Sequence, residues 1–112
     1  MKNRQNERDR LNNLRKQHGA LIRQRRKALS LSQRQLAARL ALEPYTIIDQ
    51  IEQGIGRIEP FCYQDWADAL ELPLRKVVAD ALRHLDPVAH DLFVPYELHL
   101  SDITRRDELS TS

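Results

Sequence analysis

Between Ser32 and Gly54 the chain carries two helical stretches, with only Ala41, Leu42 and Glu43 to join them. Two short helices so closely connected must turn sharply on each other and reach a common core through their own apolar stripes. Ser32 opens the first of them. Its hydroxyl is suited to accept from an N-terminal amide, Gln35 holds the capping-box position, and Leu36, Ala37 and Leu40 face inward. Pro44 opens the second, in a first turn where its missing amide hydrogen would have had no partner. Ile47, Ile48 and Ile51 point to the core, and Gly54-Ile55-Gly56 stops the helix.

The flanking segments extend this helical reading. Leu11, Leu14, His18, Leu21 and Ile22 recur at helical spacing, interrupted by Gly19. We therefore expect a basic N-terminal arm over residues 1–17, itself able to be helical, and a first domain helix over about 19–29. A fourth helix over about 60–70 buries Trp66, Ala69 and Leu70. A fifth follows Pro73, where Leu74, Val77, Val78, Ala81, Leu82 and Leu85 form an unbroken amphipathic stripe. The fold class is thus an all-α, five-helix domain over 18–86. Beyond Pro87, in a C-terminal extension over 87–112, Val94, Tyr96, Leu98 and Leu100 alternate with polar residues or proline in the period of a strand. A lone strand needs a partner, so it would pair with its copy in a second subunit or pack on a neighbour.

Charge is unevenly distributed. Residues 1–27 hold ten basic and two acidic side chains, a balance of +8, whereas residues 61–112 hold five basic and ten acidic, a balance of −5. A basic end suits a polyanion, with the acidic end turned away from it. No apolar run approaches the roughly 20 residues of a membrane span. The polar first seven residues lack the apolar centre of a signal peptide, so a cytoplasmic protein is expected. Cys62 is the only cysteine, and the spacings of six and nine between His84, His90 and His99 put them on no common helical face. No metal, cofactor or nucleophile-and-base arrangement is expected, and hence no enzyme.

In this order and spacing, the residues from Leu21 to about Val78 resemble the Cro/cI-type, Xre-like helix-turn-helix family. The matching motifs are Ile22-Arg23-Gln24-Arg25-Arg26, Leu31-Ser32-Gln33 with Leu36-Ala37, Ile51-Glu52-Gln53-Gly54, Pro60 and Trp66-Ala67-Asp68-Ala69-Leu70. The resemblance implies a DNA-binding regulator, with the third helix, about 44–53, in the major groove. Tyr45, Thr46, Asp49, Gln50 and Gln53 would read bases. Gln33, Arg23, Arg25, Lys27 and Arg57 would contact the backbone, and Arg26 with Glu52 would form a structural ion pair. Such proteins commonly act as homodimers on palindromic operators, so a repressor on the nucleoid is expected.

Two departures from the family pattern matter. The interval from Gln33 to Glu52 is one residue longer than the commonest family spacing, and the groove-facing positions, including Glu43, hold no arginine or lysine. Affinity would then rest on the basic N-terminal segment, and specificity on glutamine, threonine and tyrosine. The rival reading keeps the scaffold but gives it a protein partner, as in an antitoxin or a modulator of transcription machinery.

Overall fold

In the computed structural model, which describes residues 4–94, the first helix, α1 (Arg4–Ala28), runs unbroken through Gly19. The expected arm and the expected first helix are one element of 25 residues, roughly 37 Å long at 1.5 Å per residue. Glycine inside a helix costs about 1 kcal/mol relative to alanine, and the sequence alone suggests a break there. The tertiary reason for glycine is close approach: a Cβ at Gly19 would run into the Glu52 carbonyl oxygen and lie 2.5 Å from that of Ile51.

The remaining elements are α2 (Gln33–Leu40), α3 (Thr46–Glu52), a 3-10 turn at Pro60–Cys62, α4 (Tyr63–Leu70), α5 (Leu74–Leu85) and α6 (Pro87–Phe93). Among the described residues every regular element is helical, and no helix is long and apolar enough to cross a membrane. Helix α2 begins with a full capping box: the Ser32 hydroxyl accepts from the Gln35 amide at 3.0 Å, and the Gln35 carboxamide oxygen accepts from the Ser32 amide at 2.7 Å. Helix α3 starts two residues later than expected. Pro44 and Tyr45 form turns ahead of it, their carbonyls accepting from Ile47 and Ile48 three residues on.

Three helices end in the same way without glycine. Ser30, Ala41 and Glu71 take left-handed φ values of 59°, 53° and 56°. The leucine after each of them, Leu31, Leu42 or Leu72, donates its amide back to the last turn, to the carbonyl of Arg26, Ala37 or Ala67. Each leucine also packs against the core. This is the arrangement in which an apolar residue after the cap folds onto the helix it terminates, and the apolar contact helps offset the strain of a non-glycine cap.

Leu36, Ile48, Ile51, Ile58, Trp66, Leu70 and Val77 form the core, joined by Ile22 from α1. Helix α5 is embedded more widely than its predicted stripe. Val77 and Ala81 are buried, Val78 and Leu82 are half-buried, and Leu74 and Leu85 stand exposed at its two ends. Lys76, Ala79 and His84 are buried instead, because α5 contacts α1, α4 and α6 together. Lys76 pairs with Asp80 one turn on, at 2.8 Å.

Helix α6 corrects the expected change of pattern at Pro87 and makes six α-helices among the described residues rather than five. Asp86 caps it, accepting from the Ala89 amide at 3.0 Å, and Pro87 occupies its first turn. Apart from Val94, the strand expected over 94–100 lies outside the described residues.

Where α1 crosses α5, the His18 and His84 rings lie 4.6 Å apart between centroids, both nearly fully buried. Burial, and then the neighbouring His84, lower the pKa of His18 to about 3. Burial also lowers that of His84, with the charges of Arg15 and Arg57 adding to the effect. Both rings are therefore neutral at pH 7. An unfolded chain takes up these protons near pH 6.5, whereas the folded chain keeps His84 neutral below that and His18 neutral down to about 3. Stability from this pair is present above about pH 6.5 and is lost as pH falls below it. We expect urea midpoints to be level between pH 8 and 7 and to fall between pH 6.5 and 5. A His18→Phe, His84→Leu variant should lose that slope; an equal slope in the variant would place the acid sensitivity elsewhere.

Candidate nucleic-acid interface

One buried charge pair joins α3 to α1. The Arg26 guanidinium on α1 donates to both oxygens of Glu52 on α3, Nε to Oε2 at 2.6 Å and Nη2 to Oε1 at 2.9 Å, while Nη1 donates to the Leu31 carbonyl at 2.8 Å. These bonds hold the guanidinium's pKa still further above its ordinary value. A charge pair this deep tolerates burial only because its hydrogen bonds are satisfied. Here it ties α1, the turn after α1, and the end of α3 into one unit.

Gln33, expected on a phosphate, extends this network. Its Nε2 donates to Glu52 Oε1 and to Asp49 Oδ1, each at 3.1 Å. Gln53 Nε2 donates to the other Asp49 oxygen, Oδ2, at 2.5 Å. Of the five expected base-reading residues, Asp49 is thus half-buried, with both carboxylate oxygens accepting from glutamines. Thr46, Gln50, Gln53 and Tyr45 stay exposed beside it, as does Glu43 ahead of the helix. The repulsion that a bare carboxylate would offer a phosphate is partly answered by these two amide donors.

The expected backbone contacts divide into two groups. Arg23 and Lys27 are exposed, and at 100° per residue they lie about 60° and 100° to one side of Arg26 on α1. Arg25 lies about 100° to the other side and faces α4. Its Nε and Nη2 donate to the Leu70 and Glu71 carbonyls, each at 2.8 Å, and Arg39 donates to the Ala69 carbonyl at 2.9 Å. The last carbonyls of a helix have no partner within it, and Arg25 supplies donors to two of them at the end of α4.

Arg57 is exposed in the stretch after α3. Gly54, at φ +82°, seats that stretch on α1: a Cβ there would meet the Lys16 backbone nitrogen at 2.9 Å. Arg15 and Lys16 are therefore brought beside the end of α3 and are exposed there. The sequence placed them in the arm without linking them to α3. Arg34 was missed altogether. On α2, its guanidinium carbon lies 4.5 Å from the centre of the Tyr45 ring.

The exposed face of α3 is thus uncharged and polar apart from the bonded Asp49. Arg34 meets Tyr45 ahead of it, Arg15 and Lys16 on α1 stand beside its other end, and Arg23 and Lys27 are exposed further along α1. Among the described residues no group of three histidine, cysteine, aspartate or glutamate side chains could hold a metal ion. In comparisons with protein-family models, curated proteins and solved structures, no match to this chain was found.

Proposed function

We propose that the chain is a sequence-specific DNA-binding transcription regulator of the Cro/cI helix-turn-helix type, with α3 in the major groove. The observation that carries this reading is the exposed polar face of α3, bracketed by cations from α1 and α2 and rigidly held by the Arg26, Glu52 and Gln33 network. Glutamine and threonine can pair with base edges, while the surrounding cations supply attraction to phosphates that does not depend on sequence. The reading includes a homodimer, acting as a repressor on a palindromic site whose halves lie about 34 Å apart.

Fluorescence anisotropy with DNA selected from a random library, at two salt concentrations, tests it. Specific binding that survives competitor DNA is the expected result. Changing Lys16, Arg23 and Lys27 together to glutamine should weaken binding at least 10-fold. It should also flatten the salt dependence by about 0.9 in log–log slope for each phosphate that is no longer neutralised, with the preferred sequence unaltered. If affinity and slope both stay at wild-type values, the α1 cations are not the source of affinity.

A second reading is favoured by one observation. Ile55 and Phe61, on either side of Arg57, are 72% and 85% exposed, and apolar side chains presented this way suit a protein partner. Under that reading the scaffold is an interaction module, such as an antitoxin or a modulator of transcription machinery. DNA binding would then be weak and abolished by salt.

A further inference from the structure

We propose that Arg34, held against Tyr45, reads a guanine in each half-site and so supplies the arginine contact that α3 lacks. The inference rests on the DNA-binding reading and adds a specificity-determining residue to it. Three arginines around α2 and α3 are already engaged: Arg26 with Glu52 and Leu31, Arg25 with the end of α4, and Arg39 with Ala69 and Glu71. Arg34 differs. It is exposed on the first turn of α2, and among the described residues its guanidinium meets only the Tyr45 ring.

That contact leaves the chemistry of base reading intact. A guanidinium over an aromatic ring is bound through its flat face, and the N–H donors around its edge still point outward in a fork. The ring also restricts a long side chain that would otherwise lose considerable rotamer freedom on binding. Tyr45 directly precedes the first residue of α3, so the pair stands at the end of the helix that carries Thr46 and Gln50. Two parallel N–H donors match the O6 and N7 acceptors of guanine, the commonest specific contact in the major groove. Glu43 lines the same open cleft as Arg34 and Tyr45, and its negative charge disfavours a phosphate there relative to a neutral base edge.

The test is selection from a random DNA library followed by anisotropy, using the full chain and the variants Arg34→Gln, Arg34→Lys and Tyr45→Leu. Both positions are exposed, and matching thermal melts would establish that each variant is folded. For the wild type we expect one strongly preferred guanine per half-site. Arg34→Gln should erase that preference alone and weaken the best site roughly 10- to 100-fold. Arg34→Lys should blunt it, since an ammonium cannot form the fork, and Tyr45→Leu should reduce it by loosening the side chain. Selection of an unchanged sequence by Arg34→Gln overturns the proposal, whether or not the salt slope drops by about one, the mark of a phosphate contact. Failure of the wild type to select any sequence overturns the DNA-binding reading itself, and the guanine contact with it.

Discussion

Gly19→Ala is expected to destabilise the protein by about 3 kcal/mol, at the upper end of what overpacking costs, although alanine is the better helix former by about 1 kcal/mol. The added methyl would run into the Glu52 carbonyl oxygen and stand 2.5 Å from that of Ile51. Both are backbone atoms at the end of α3, so no side chain can rotate out of the way. Helices α1 and α3 would have to separate, straining the charge pair that joins them. The neighbouring residue provides the control. Ala20 is exposed on the same helix, and Ala20→Gly should cost only the propensity difference of about 1 kcal/mol. Urea denaturation of the two variants distinguishes a contact effect from a propensity effect. Were Gly19→Ala to raise the midpoint, the close crossing of α1 and α3 would be disproved.

Removing one member of the charge pair should have a comparable or larger effect. Glu52→Ala leaves the Arg26 guanidinium buried without its carboxylate, and breaking such a pair typically costs about 3–5 kcal/mol. In a domain of this size that lowers the melting temperature by more than about 12 °C. Gln33 loses one of its two acceptors in the same step. An Arg26→Leu, Glu52→Met double variant should be more stable than Glu52→Ala, because the cost arises from an unpaired charge rather than from the loss of an attraction. Calorimetry on the single and double variants decides the matter: a double variant as unstable as the sum of the two single changes would mean that the residues do not act as a pair. The consequence for function is positional. Without the pair, α3 loses its attachment to α1, and DNA binding should weaken even though neither residue need touch DNA.

Much of the local structure was legible in the residues. Ser32 and Gln35 announce the start of α2, and Asp86-Pro87 carries an equally plain start for α6. That second signal was masked by the period-two alternation beginning at Val94, which drew the segment into a strand reading. Helix ends were harder to see. Glycine marks the stop after α3 but not those at Ser30, Ala41 and Glu71, where a following leucine anchors the cap. A leucine directly after a polar or small residue is too common to serve as a signal until its contact with the core is known.

The candidate site divides along the same line. The amphipathic stripes, the caps and the excess of basic residues before Lys27 involve neighbours within about four positions, and such short-range preferences can be read along the chain. The sequence by itself therefore determined an all-helical domain over 18–86 with two short helices closely joined around Ala41 to Glu43. Tertiary structure decided which side chains remain available for a ligand. Arg25 is occupied by carbonyls 45 and 46 residues away, and Arg26 by a carboxylate 26 residues away. Asp49 is bonded by Gln33 from 16 residues away, while Arg34 meets Tyr45 across the turn between α2 and α3. Periodicity gives the face on which a residue lies but not the atoms that face will meet. For that reason Gly19, which looks like a break in the sequence, is in the folded chain a point of close contact between α1 and α3.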